Sequence, residues 1–222
     1  MIKKILKITR NLTILVIGIT SLYLINLFYM KPFSIDHFLG KELAMELVDS
    51  PEALTYIGIF DRFNWITKHN SKLSIPEDGD LENEINKTKR IIRNLYKYED
   101  VNLSDTQKST KKIAIFDYEN NLKELQDFPY HDYPLNQIGG IHLNTIEFMS
   151  DMHPVRNKNE ANDFIKRVNL IKEVYEGIAK ELEKQSEAGI FPPEFVYVRV
   201  IKQLNEFINY SYDEHPLYNQ FN

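Results

Sequence analysis

The sequence predicts an all-α protein, a helical bundle-like domain behind one N-terminal transmembrane helix. Three observations carry that reading: an uncharged run from Asn11 to Met30, apolar residues recurring at spacings of three and four through the rest of the chain, and no stretch with the period-two alternation of a strand. The uncharged run comes first. Twenty residues rising 1.5 Å each span roughly 30 Å, the thickness of a bilayer's hydrocarbon core. Lys3, Lys4, Lys7 and Arg10 precede it and Lys31-Pro32 closes it. A cleavable signal peptide carries a shorter apolar stretch and small residues before its cut, whereas the corresponding positions here read Ser21-Leu22-Tyr23 and Leu27-Phe28-Tyr29. Residues 1–10 are therefore expected to form a cytoplasmic basic tail and 11–30 a retained signal anchor. Cations concentrated on the N-terminal side place the rest outside the cytoplasm, as a single-pass inner-membrane protein with a periplasmic or extracellular bulk. Asn11 and Asn26 are expected near the ends of the span, within reach of water.

Helix signals then recur. Ser50-Pro51-Glu52 offers an N-cap, a proline at the first helical position and an acid in the first turn, so a helix is expected from there to about Trp65. Pro76-Glu77-Asp78-Gly79 is a turn. A charged helix follows from about Asp80 to Tyr98, its apolar face marked by Ile85, Ile92, Leu95 and Tyr96. Ser104-x-x-Gln107 reads as a capping box that opens a helix through Ile113, Phe116, Leu122 and Leu125, ending before Pro129. The most regular helix follows Asn157-x-x-Glu160. Its seam of Ala161, Phe164, Val168, Ile171, Tyr175, Ile178 and Leu182 is expected to be buried against another helix, as core rather than catalytic surface. Gly189 stops it. Pro192-Pro193 restarts the chain as a helix bearing Phe195, Val196, Val200, Leu204, Phe207 and Ile208, a neighbour of the one before and antiparallel to it. Val196, Val200, Leu204 and Phe207 are expected to form an incompletely buried stripe.

Composition narrows the partners. A chain of 222 residues with 43% hydrophobic content has room for a membrane segment and one domain with its own core. Cysteine is absent, which removes disulfides, thiolate chemistry and cysteine-ligated zinc. Taking the four cations before Asn11 from the 27 Lys and Arg leaves 23 against 32 acidic residues, a net of −9. An acidic surface argues against nucleic acid, and the lipid bilayer is the partner assigned through the transmembrane helix. Lys108, Lys111 and Lys112 read as one solvated helix face. The abundance of Asn, Ile and Lys fits a bacterial source.

Chemistry is sparse. The proline- and glycine-broken stretch from Phe128 to Gly140 reads as a packed and shaped loop. His131, Asp132, His142, Asp151 and His153 fall within it or soon after, but no His-x-x-x-His or His-Glu-x-x-His pattern joins them, and they are read as caps and satisfied polar contacts. Glu42 with Glu46, and Glu176 with Lys180, share helix faces and read as surface charge. There is no Gly-x-Ser-x-Gly elbow, phosphate-binding glycine loop or dinucleotide fingerprint. No catalytic, cofactor-binding or metal-ligating residue is assigned.

The order of segments resembles a known family. Ser50-Pro51-Glu52 with Thr55 and Gly58, Tyr133-Pro134-Leu135-Asn136-Gln137 with Gly139 or Gly140, and His153-Pro154 come first. Ala161, Ile165-Lys166-Arg167, Gly189-Ile190-Phe191-Pro192-Pro193, Gln203 and His215-Pro216-Leu217-Tyr218 follow. Over Asp36 to Phe221 this resembles the N-terminal half of the bacterial domain of unknown function 885 family (DUF885). The resemblance implies a helical, often exported protein similar to helical zinc metallopeptidases, with zinc held in full-length relatives by a His-Glu-x-x-Pro-Gly-His type signature. That signature is absent here, so no catalytic residue carries over. On this reading residues 34–222 are an incomplete family domain, non-catalytic alone, whether a truncated product, one half of a split gene with a downstream-encoded second half, or a degenerate copy. The alternative is a stand-alone membrane-anchored module that binds protein or peptide.

Overall fold

The computed structural model describes residues 2–219 and 221, and among them every regular element is helical. Helix α1 runs from Ile2 to Tyr29. Its segment Leu6–Tyr29 has a mean hydropathy of 2.0 and is long and apolar enough to cross a membrane. Met1 lies outside the described residues. The helix starts earlier than the expected anchor, so Lys4, Lys7 and Arg10 share one rod with the apolar run.

Contacts divide the chain into two compact units, 1–46 with 86–122, and 47–85 with 123–222. After α1, the first unit holds most of α2 (Ile35–Asp49), residues 86–95 of one long charged helix and residues 105–122 of the next. Its core is Ile35, Phe38, Ile91, Leu95 and Tyr98, with Ala114, Ile115 and Tyr118 packed on it. Asn26 is buried rather than wet: its Nδ2 donates to the Lys31 carbonyl at 2.9 Å and its Oδ1 accepts the Phe33 N–H at 3.0 Å, closing the turn that ends α1. Glu42 corrects the sequence reading as well. It is 5% exposed and accepts both terminal nitrogens of Arg90, at 2.9 and 2.7 Å, with Lys41 beside it at 2.8 Å. Burial raises its carboxyl, but Arg90 and Lys41 together hold it below the ordinary value. Glu46 remains a surface charge paired with Lys87.

In the second unit, α3 spans Pro51–Ile57 and stops well short of Trp65. Gly58 takes φ 69°, and its N–H caps the Leu54 carbonyl at 3.1 Å, so the chain leaves the helix through the left-handed conformation that glycine adopts without a Cβ clash. A 3-10 turn at Asp61–Phe63, the one-turn helix α4 (Asn64–Thr67) and a second 3-10 turn at His69–Ser71 follow. Helix α5 covers Asp80–Leu95, passing into the first unit at residue 86, and α6 covers Asp105–Asp127, passing back at residue 123. The buried face of α5 is Thr88, Ile91 and Leu95 rather than one carrying Tyr96, and Ile113 and Phe116 of α6 stand exposed. The Ser104 capping box is reciprocal: the Gln107 N–H donates to Ser104 Oγ at 3.2 Å and the Ser104 N–H to Gln107 Oε1 at 3.0 Å.

Helix α7 (Ile141–Glu147) continues directly into a π-helical turn at Phe148–Met152, which hands the chain to His153. Helix α8 (Lys158–Glu187) is capped by Asn157, whose side chain accepts from the N–H groups of Asn159 and Glu160. Its fully buried positions are Phe164, Arg167, Val174, Gly177, Ile178 and Gln185, so the seam is rotated from the expected one and contains a charge and an amide. Leu73, Val174 and Ile178 form the apolar core, with Leu135, Ile141 and Phe148 packed against them. Helices α9 (Glu194–Ile208) and α10 (Pro216–Asn219) end the chain. The stripe expected to be incompletely buried on α9 divides: Leu204 and Phe207 are half-buried, Val196 and Val200 are buried, and Phe195, Val198, Ile201 and Ile208 face outward.

Gly177 shows how tightly α8 is seated, because a Cβ there would lie 2.5 Å from the Pro76 carbonyl oxygen. Alanine in a helix is ordinarily worth about 1 kcal/mol over glycine. Here the clash is with backbone and should dominate, so Gly177→Ala is expected to destabilise by roughly 1–3 kcal/mol in thermal unfolding followed by circular dichroism. A melting temperature equal to or above wild type would contradict the close approach.

Candidate functional site

Arg167 is placed by α8 at the centre of the second unit with no exposed surface. Its Nε donates to the Lys72 carbonyl at 2.8 Å, Nη1 to His153 Nδ1 at 2.8 Å, and Nη2 to Thr55 Oγ1 at 2.7 Å and the His69 carbonyl at 2.8 Å. The Phe148 ring lies under the guanidinium, 4.7 Å from its central carbon. One side chain thus ties together α3, the 69–72 turn, the π-helical turn and α8. The fork geometry is what permits this, since only a guanidinium presents five donors in a fixed plane.

A buried cation without a carboxylate against it demands such a set of acceptors. Burial pushes Arg167 down to about 10, opposed by the fields of Glu52 and Asp163, and it therefore stays protonated at neutral pH. Its proton fixes the state of His153. Nδ1 must offer a lone pair to Arg167, so Nε2 carries the hydrogen and donates to the Glu160 carbonyl at 3.3 Å. Burial and the neighbouring guanidinium push His153 down to about 4. Thr55 also reaches Asn70 Oδ1 at 2.8 Å, and Glu52 accepts both the N–H and the hydroxyl of Ser74 at 2.7 Å.

A second polar cluster sits at α7. His142 Nε2 is 3.0 Å from Gln203 Oε1, and Gln203 Nε2 donates to the Gln137 carbonyl at 3.1 Å. As Oε1 can only accept, His142 is protonated on Nε2 and its buried Nδ1 is left without a partner. Asn136 shapes the preceding loop by accepting the N–H groups of Ile138 and Gly139 at 3.1 and 2.9 Å. Gly140 is required: a Cβ would fall 2.5 Å from the Asn136 nitrogen and 2.8 Å from His142 Nδ1. The loop is packed as expected at Leu135 but leaves Phe128 and Ile138 outside.

Beside the arginine cluster a polar cleft of about 560 Å³ opens between the 61–71 segment and the first turns of α8. Its floor is pinned. Asn64 donates to Asp163 at 2.9 Å and accepts the Asn70 N–H at 3.1 Å, while Arg156 bridges Asp61 at 2.8 Å and Glu160 at 2.9 Å. Lys68 closes α4 at φ 52°, a left-handed conformation that costs a non-glycine residue about 1 kcal/mol or more. Above this floor the side chains of Arg62, Trp65, Lys68, Asn159 and Asn162 line the cleft with no hydrogen bond or ion pair inside the described residues, and Trp65 is 75% exposed. A separate, apolar slot of about 270 Å³ is lined by Leu73, Ile141, Phe148 and Val174, with Glu52 among its lining residues.

The five residues nominated from sequence do not converge. His131, Asp132 and Asp151 are exposed, His142 belongs to the Gln203 cluster, and His153 to the arginine cluster. Among the described residues no three His, Cys, Asp or Glu are arranged to hold a metal ion. They do not fit the zinc that the sequence resemblance implies, since a cation at His153 would face the Arg167 guanidinium at its Nδ1. Sequence reasoning left out Asn70, Trp65 and the roles of Thr55 and Arg167. A signal existed for Arg167: it stands in heptad phase with Phe164, Val174 and Ile178, where a long charged side chain can only be buried or break the seam.

Residues 51–222 match the model of a family described as bacterial protein of unknown function (DUF885). Curated proteins give no match. Among solved structures, the chain is similar to one described as "the putative lipoprotein from Colwellia psychrerythraea", with 16% sequence identity and a TM-score of 0.63. The alignment covers 80% of this chain and 33% of that one, so this chain spans about a third of the length of the solved relative, and the likeness is one of fold.

The depressed pKa of His153 makes the arginine cluster sensitive to acid. In the unfolded chain histidine binds a proton near 6.5, in the folded one near 4, so stability from this group is complete above pH 6.5 and is lost as pH falls through 4. The loss is expected to reach about 3 kcal/mol. His69, also lowered by burial, adds to it in the same direction. In denaturant titrations across this range, His153→Gln, which offers Arg167 an amide oxygen and does not titrate, should flatten most of the slope. A wild-type slope in the variant would show that His153 is not the group responsible.

Proposed function

The chain belongs to the DUF885 family, and from that premise we propose that it is a membrane-attached helical scaffold that binds and positions a ligand rather than reacting with it. One observation carries the reading, a division of labour in the second unit. Arg167 and His153 are spent on each other and on backbone carbonyls and His142 is tied to the Gln203 amide, while side chains free of internal partners line a cleft whose backbone is fixed. Pinning a segment so firmly while leaving its indole, and the amides of the adjoining helix, to solvent is the arrangement of a preorganised binding surface.

Attachment to the bilayer is supported by α1. Its exposed apolar length matches a hydrocarbon core, and the cations Lys4, Lys7 and Arg10 lie at its N-terminal end, which favours a cytoplasmic N-terminus and a second unit outside the cytoplasm. The resident metal of a peptidase has no role in this reading.

Topology tests it directly. A reporter that works only outside the cytoplasm, fused after Phe33, is expected to be active and to stay with the membrane through alkaline extraction, and deletion of residues 1–33 should release the remainder. Activity solely from a cytoplasmic reporter at that site, or full extraction of the intact chain, would overturn the assignment.

A further inference from the structure

We propose that the cleft between residues 61–71 and the N-terminal turns of α8 binds an oligosaccharide, with Trp65 as the platform on which a sugar ring stacks. The inference rests on the binding-scaffold reading and names its ligand class. A sugar offers two kinds of surface, an apolar face of C–H groups and a rim of hydroxyls that each donate and accept. The first needs a flat, exposed, rigidly carried aromatic ring. Trp65 is one: it is 75% exposed, yet its backbone is held by α4, by the Asn64 bonds to Asp163 and Asn70, and by the Lys68 turn. An indole in such a position contributes a large contact area with little rotamer freedom to lose.

The hydroxyl rim needs groups that donate and accept at once, and a carboxamide does both without carrying charge. Asn159 and Asn162 line the cleft with their amides unengaged, and Lys68 and Arg62 add donors. The carboxylates offer little to a ligand: Asp163 accepts from Lys166 at 2.7 Å and from Asn64, Glu160 and one oxygen of Asp61 share Arg156, and the other Asp61 oxygen is buried beside His69. The cleft is therefore rich in neutral polar groups rather than in net charge. A volume of about 560 Å³ accommodates several sugar rings. An extended peptide would want a free strand edge for its backbone and apolar pockets for alternate side chains, and this cleft supplies neither.

Trp65 is the single tryptophan in the chain, so indole emission reports on this cleft alone. The full-length protein in detergent micelles would be titrated with chitotetraose, maltotetraose and, as the competing class, tetra-alanine. The expected result is a saturable shift in Trp65 emission with at least one tetrasaccharide and none with the peptide. Calorimetry on variants then locates the site: Trp65→Ala should abolish the heat of binding, Trp65→Phe should retain it, and Asn162→Ala should weaken affinity about tenfold. These positions are exposed, so unchanged circular dichroism melts are expected to accompany the loss. A response to tetra-alanine alone would overturn the saccharide assignment and leave a binding scaffold standing. No response to any probe at about 10 mM, or binding unchanged in Trp65→Ala, would overturn the site itself, and membrane retention of the chain before solubilisation reports separately on the scaffold reading.

Discussion

The arrangement of the second unit depends on how a guanidinium is solvated without water. Arg167 has no exposed surface, and its donors are met by two backbone carbonyls, a hydroxyl and a histidine nitrogen at 2.7–2.8 Å, with an aromatic ring beneath the plane. The acceptors come from separate stretches of chain, so the cation cannot be satisfied until all of them are in place. That requirement makes each local oddity intelligible. The helix from Ser50 must end at Gly58 so that the chain can return through the 69–72 turn with its carbonyls facing α8. The π-helical turn at Phe148–Met152 inserts the extra residue that brings both the Phe148 ring and His153 Nδ1 to the arginine.

The same constraint explains why the resemblance to the family is carried by scattered short segments. Pro51, Thr55, His153 and Arg167 converge on one cluster, and Asn136, Gln137, Gly140 and Gln203 on the other. These are scaffold positions, defined by hydrogen-bond accounting and by space for a Cβ. The cleft that faces solvent is built on top of them by Asn64, Asn70 and Asp163, which link the cluster's edge to the exposed turn carrying Trp65.

Much of the fold was legible where the signal is local. The caps at Ser50, Ser104 and Asn157 each make the hydrogen bonds their residue types promise, and the long apolar run is a continuous helix. What depends on distant partners was not legible. The seam of α8 was read from apolar residues only, which rotated it away from Arg167 and Gln185, because no local rule says that carbonyls from residues 69 and 72 will arrive to satisfy a charge there. Glu42 was misread for the same reason, its partner Arg90 being 48 positions away. The cleft escaped notice because it has no motif: Trp65 and the asparagines are ordinary surface residues until the turns at Gly58 and Lys68 bring them to one place.

The geometry of the guanidinium, and not merely its charge, holds these segments together. Hydrogen–deuterium exchange on Arg167→Lys tests it, since lysine keeps the charge but presents its donors from one atom. Amides of residues 52–57, 69–73 and 148–153 are expected to exchange at least about tenfold faster together, with residues 86–95 of α5, in the first unit, unchanged. Wild-type protection in all three segments would contradict the account.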